Sequence, residues 1–181
     1  MHENLLLPAI RLVAVIVYLS LHPGLAQPPL EPPPPKEDLP SGSLIVPMDN
    51  FHQGNVTEST FNLRAYGLVN LLLQNNIPVK WSIAPNKSKD DADFSANVTR
   101  IAGPVGIPGG NVTFSGGPFV VSAQYDTAFL RDLITSFNGS GIPVTVYKTE
   151  GGSLIDVKYT LFHRPKIAVG ADGGNFGNGI F

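Results

Sequence analysis

The chain has no cysteine. Disulfides, thiolate zinc sites and cysteine nucleophiles are therefore excluded. It has no GxSxG elbow, no HExxH pair and no GxxxxGK[ST] loop, so the common hydrolase, zinc-protease and phosphate-loop signatures are missing. It has no excess of basic charge. The formal net charge is −2, which argues against a nucleic-acid partner. It has no apolar run of the ~20 residues needed to cross a bilayer, and the ten residues of LVAVIVYLSL fall well short.

That short run is nonetheless informative. MHENLLLPAIR precedes it with one basic residue, Arg11, and HPGLAQ follows it with small residues at Gly24 and Ala26. The three parts match a secretory signal peptide over residues 1–26, and they predict a secreted or periplasmic protein with no stable membrane span after cleavage. Residues 27–42 carry seven prolines and predict an extended, semi-rigid spacer. Residues 43–181 remain for a single domain, long enough to bury a core without disulfides. Five Asn-x-Ser/Thr sequons begin at Asn55, Asn86, Asn97, Asn111 and Asn138, where chance gives about one or two. A eukaryotic secretory pathway would glycosylate several of them, whereas in a bacterium they mark asparagine-rich turns.

Within the domain, apolar strands alternate with helical periodicity. LIVPM predicts a short strand, with its proline at a strand end or sheet edge. TFNLRAYGLVNLLLQNN places Phe61, Ala65, Leu68 and Leu72 on one helical face, with Ser59 or Thr60 as N-cap. AQYDTAFLRDLITSFNGSG does the same through Tyr125, Phe129, Leu133 and Phe137. Two junctions match: NNIPVKWS and GSGIPVTVY both run from a polar helix end through Ile-Pro-Val into a strand. KSKDDADFSANVTRI suggests a short helix capped by Asp90 or Asp91, and NVTFSGGPFVVS a strand pair or a strand with a glycine bulge. SLIDVKYTLF lines up Ile155, Val157, Tyr159 and Leu161, and KIAVGA predicts a further strand. The alternation favours repeated βα units in a mostly parallel α/β sheet. Because no helix follows KIAVGA, the domain is expected to be incomplete at its C-terminus, the front part of a longer protein.

The chemistry-bearing residues cluster where predicted strands end. PMDNFHQGN offers Asp49, Asn50 and His52, and GADGGN offers Asp172 and Asn175. In a parallel sheet these tips would share the rim where ligands bind. Two carboxylates, an imidazole and two amides could bind a hard or borderline cation or hydrogen-bond sugar hydroxyls, and the ligand is expected to be a small molecule, a glycan or a protein, with no cofactor or resident metal assigned. The plain alternative is that Asp49 and Asn50 satisfy turn backbone and that GADGGN is only a glycine turn.

LIVPMDN, FNLRAYGLVNLLLQNNIPVKWSI, SGGPFVV and PKIAVGADGGN together resemble a family of uncharacterised exported proteins, chiefly bacterial, across roughly residues 43–175. That resemblance implies a class I glutamine amidotransferase-like, flavodoxin-like fold. It implies no activity, since the cysteine nucleophile and the triad of true amidotransferases are missing. On these grounds the chain is expected to be an exported binding or structural module. The alternative is an extracytoplasmic hydrolase with its site on the strand rim.

Overall fold

A computed structural model describes residues 32–33, 35–55, 60–104 and 109–165. In chain order the strands are β1 (Lys36–Leu39), β2 (Leu44–Val46), β3 (Gly54–Asn55), β4 (Thr60–Phe61), β5 (Val79–Ser82), β6 (Ala92–Ala102), β7 (Gly110–Ser115), β8 (Phe119–Val121), β9 (Val146–Thr149) and β10 (Ser153–Leu161). The helices are the single turn α1 (Asn50–Gln53), then α2 (Arg64–Gln74) and α3 (Ala128–Asn138).

Eight strands form one sheet in the order β1-β10-β5-β8-β2-β9-β6-β7, and β3 and β4 form a small separate ribbon. Each neighbouring pair in the sheet runs antiparallel. The expected parallel, flavodoxin-like or glutamine amidotransferase-like α/β sheet is therefore overturned. The pairing also explains why the sequence misleads. Both β2 and β5 lie antiparallel to β8, so they point the same way, as a strand–helix–strand unit requires, but β8 runs between them. Likewise β8 and β9 point the same way with β2 between them. Two strand–helix–strand units, β2-α2-β5 and β8-α3-β9, thus interlock in the split β-α-β connectivity. The matched Ile-Pro-Val junctions lead into the second strand of each unit, the first ending on the opening residue of β5 and the second two residues before β9. Sequence grammar reports the unit, and interlocking decides the sheet.

Several local expectations shift as well. Helix α2 starts at Arg64 after Leu63, which makes no side-chain cap, rather than after Ser59 or Thr60. Helix α3 begins after Thr127, whose side chain accepts from Leu130 N. It buries Leu130 and Ile134 and leaves Phe129 more than half exposed, a face one residue away from the predicted stripe. The segment read as a helix capped by Asp90 or Asp91 is the long strand β6, with Phe94, Ala96 and Val98 buried and Ser95, Asn97 and Thr99 exposed. β7 and β8 are not a hairpin. They lie far apart in the sheet, joined through Gly116 and Gly117, both at positive φ. A bulge between Val157 and Tyr159 breaks the alternation of β10: Ile155 and Val157 enter one core, whereas Leu161 packs against the other. Pro47 stands directly after the end of β2, as the strand-end expectation has it, although β2 is a central strand and not an edge. Four residues of the proline-rich stretch, Lys36–Leu39, pair with β10, and Leu39 is buried. KIAVGA and GADGGN lie outside the described residues.

The sheet has two buried faces. α2 and α3 cover one, where Leu68, Leu72, Leu130 and Ile134 pack on Val46, Val79, Val121 and Val146. Gly67 lets the helices approach, because a Cβ there would meet the Phe137 ring at 3.2 Å. On the other face, strands distant in sheet order share one cluster: Leu39 and Ile155 meet Phe94, Val112 and Phe114 around Ile45, Val120 and Tyr147. That is possible only if the sheet curls into a half-barrel, and Ser153 Oγ on β10 donates to Ser95 O on β6 across the curl at 2.9 Å. Among the described residues, no helix is long and apolar enough to cross a membrane.

Candidate functional site

The segment after β2 turns immediately into α1. Asp49 has extended backbone angles and caps the turn, its carboxylate accepting from His52 N at 2.8 Å. The same carboxylate also holds the His52 ring, with Nδ1 at 2.8 Å from both oxygens. A carboxylate can only accept at neutral pH, so Nδ1 carries the proton and Nε2 is left to face outward from the pair. Gln53 is fully buried and clips the turn to the start of β9, its amide donating to Thr145 O at 2.8 Å while Thr145 N donates to its Oε1 at 3.0 Å. Beneath the turn, the Gly116 backbone presses against Met48. A Cβ at Gly116 would lie 2.4 Å from Met48 O, so only glycine allows this approach.

His52 is 7% exposed and sits among aromatic rings. Phe51, Phe114 and Tyr147 lie at centroid distances of 4.9, 5.5 and 5.8 Å, Phe51 and Tyr147 edge-on. It therefore plugs the inner face of the half-barrel rather than projecting from a loop. Asn50, by contrast, is exposed, as is Phe51. Of the five residues singled out from sequence, the structure brings Asp49 and His52 into direct contact and points Asn50 outward. Asp172 and Asn175 fall outside the described residues, so the convergence of two strand tips on one rim does not carry the site.

Two residues the sequence did not single out complete the group. Tyr147 on β9 is the direct cross-strand partner of Arg100 on β6, and directly opposed residues project from the same face. Tyr147 is fully buried, yet its Oη has no hydrogen-bond partner among the described residues, and neither does the buried Nη1 of Arg100. Burial pushes the Tyr147 phenol up to about 12, with the Arg100 charge pulling it down and the Asp49 charge pushing it up. At neutral pH Tyr147 Oη is thus a protonated donor. A signal for Arg100 did exist: it interrupts the inward alternation Phe94, Ala96, Val98 with a charge. Tyr147 gave none, since tyrosine is at home in a strand.

Asp93 offers a contrast. The Asp93 side chain is fully enclosed, pairs with Lys87 Nζ at 2.7 Å, and accepts from Ala84 N and Gly117 N at 2.9 and 2.8 Å. Every demand of that group is met, and its work is to fasten the loop before β6 to the glycine turn. Lys80 and Glu37 form another ion pair that fastens strands. A surface cleft lined by Leu73, Gln74, Asn76, His163 and Arg164 shares no residue with the Asp49–His52 group. Among the described residues, no cluster of three His, Cys, Asp or Glu side chains is placed to hold a metal ion. Comparisons with protein-family profiles, with curated proteins and with solved structures each return no match for this chain.

Proposed function

We propose that the chain is an exported binding domain that takes a small ligand on the inner face of its half-barrel, at Asp49, His52, Arg100 and Tyr147. Export rests on the signal-like residues 1–26. The observation that carries the binding site is that two of the five buried polar atoms without partners among the described residues, Tyr147 Oη and Arg100 Nη1, lie beside an imidazole whose orientation Asp49 fixes. Unpaired buried polar groups are costly, and proteins keep them where something else supplies the partner. The test is a ligand screen on the isotopically labelled chain, reading the His52 imidazole resonances. Ligands of this site shift them in the wild type, and binding is lost in His52→Ala. A ligand that binds equally well to wild type and His52→Ala defeats the assignment.

Hydrolysis is the second reading, and the Asp49–His52 pair motivates it, because a carboxylate-oriented histidine is the usual general base. Such a base works on a nucleophile within hydrogen-bond reach. Among the described residues no hydroxyl bonds His52, which favours binding. Turnover of an ester or glycoside that vanishes in His52→Ala would reverse that order.

A further inference from the structure

We propose that the ligand of this site is a small oxyanion, a carboxylate or phosphate group, held between Arg100 and Tyr147. The inference rests on the binding-site reading above and concerns only the chemistry of what binds. Arg100 Nη1 has hydrogens to give and no lone pair to accept with. Tyr147 Oη, protonated at neutral pH, donates as well. Both lack partners, and the two residues sit opposite one another in register, so two unused donors line one face of the sheet. Among the described residues Arg100 makes no ion pair, while the nearby carboxylate of Asp49 is already taken by the His52 backbone and ring. The local demand is therefore for an acceptor, which a metal cation cannot supply, and the Arg100 charge favours a negatively charged one over the neutral hydroxyl of a sugar. A guanidinium and an oxyanion form the charge-assisted type of hydrogen bond, roughly twice as strong as a neutral one. Thr145 Oγ1, two residues before Tyr147 and also buried without a partner among the described residues, adds a second hydroxyl.

The experiment titrates the full chain separately with sodium phosphate, with sodium acetate and with the neutral sugars glucose and galactose, at ionic strength held constant with sodium chloride. It reads the melting temperature together with the His52 imidazole resonances. At least one oxyanion is expected to raise the melting temperature saturably and to shift His52. Arg100→Gln should weaken that affinity by about tenfold or more, the usual scale for losing a charged hydrogen-bond donor. Tyr147→Phe should weaken it several-fold while melting no lower than wild type without anion, which keeps the test open should Arg100→Gln fail to fold. A response to neither oxyanion, or one that survives both substitutions, overturns the proposal. A saturable His52 response to neutral sugars alone rejects the oxyanion and leaves the binding site standing. Silence toward sugars and oxyanions alike rejects both.

Discussion

The two faces of the sheet are built from the same strands and solve different problems. The helix-covered face is built from an apolar cluster running from Leu44 to Val146. The inner face is equally well buried, yet at one end it accommodates a histidine–carboxylate pair, a phenol and a guanidinium, two of whose polar atoms have no partner. Alternation along each strand makes this division available: successive side chains serve opposite cores, so one face can specialise in packing while the other tolerates polarity. The apolar face and the polar one are separated by a single residue step along β9, from Val146 to Tyr147.

That contrast can be broken at either face. The largest effect is expected on the helix side, where Leu68→Ala removes a fully buried side chain wedged between α2 and the sheet. It should cost about 2–5 kcal/mol in urea unfolding, and a loss under 1 kcal/mol would mean that the helices only lie loosely on the sheet. Next comes the alkaline limb of stability. The Tyr147 phenol stands near 12 when folded and near 10 when unfolded, so below pH 10 both states hold the proton, and between pH 10 and 12 the unfolded chain ionises first. Stability should fall across that window by on the order of 2 kcal/mol, and Tyr147→Phe should flatten this component of the fall. Equal slopes for the two proteins would show that the phenol is not held in this environment. The smallest effect belongs to Asp49→Ala, which deletes an N-cap and the ring contact of His52 and should cost about 1 kcal/mol. It should also broaden the His52 resonances as the ring loses its fixed tautomer. Unchanged resonances would remove Asp49 from the site.

Much of the local structure was legible in the sequence. The helical stretches around Leu68 and Leu133 and the strand character of Val79–Ser82 follow from periodicity. The sheet was not legible, because the order of strands depends on pairings between residues far apart. Nothing in Leu44–Val46 announces that Phe119–Val121 will run beside it in the opposite sense. The site was half legible for the same reason. Asp49 and His52 are three residues apart and declare themselves, whereas Arg100 and Tyr147 meet each other only through the register of β6 on β9. The sequons illustrate the point again: Asn97 and Asn111 are not turn residues but exposed, directly opposed positions on β6 and β7.

The placement of β8 between β2 and β5 has a bearing on how the chain comes to be folded at all. While β2, α2 and β5 emerge during synthesis, the strand that must separate the first from the last has not yet been made, so the early chain holds two apolar ribbons with open edges and nothing to zip them together. Assembly must wait until about residue 121 is available, and until then the nascent segment is a natural client for chaperones and for unwanted edge-to-edge association. Cutting the molecule between its two halves would accordingly yield two insoluble pieces rather than two small domains.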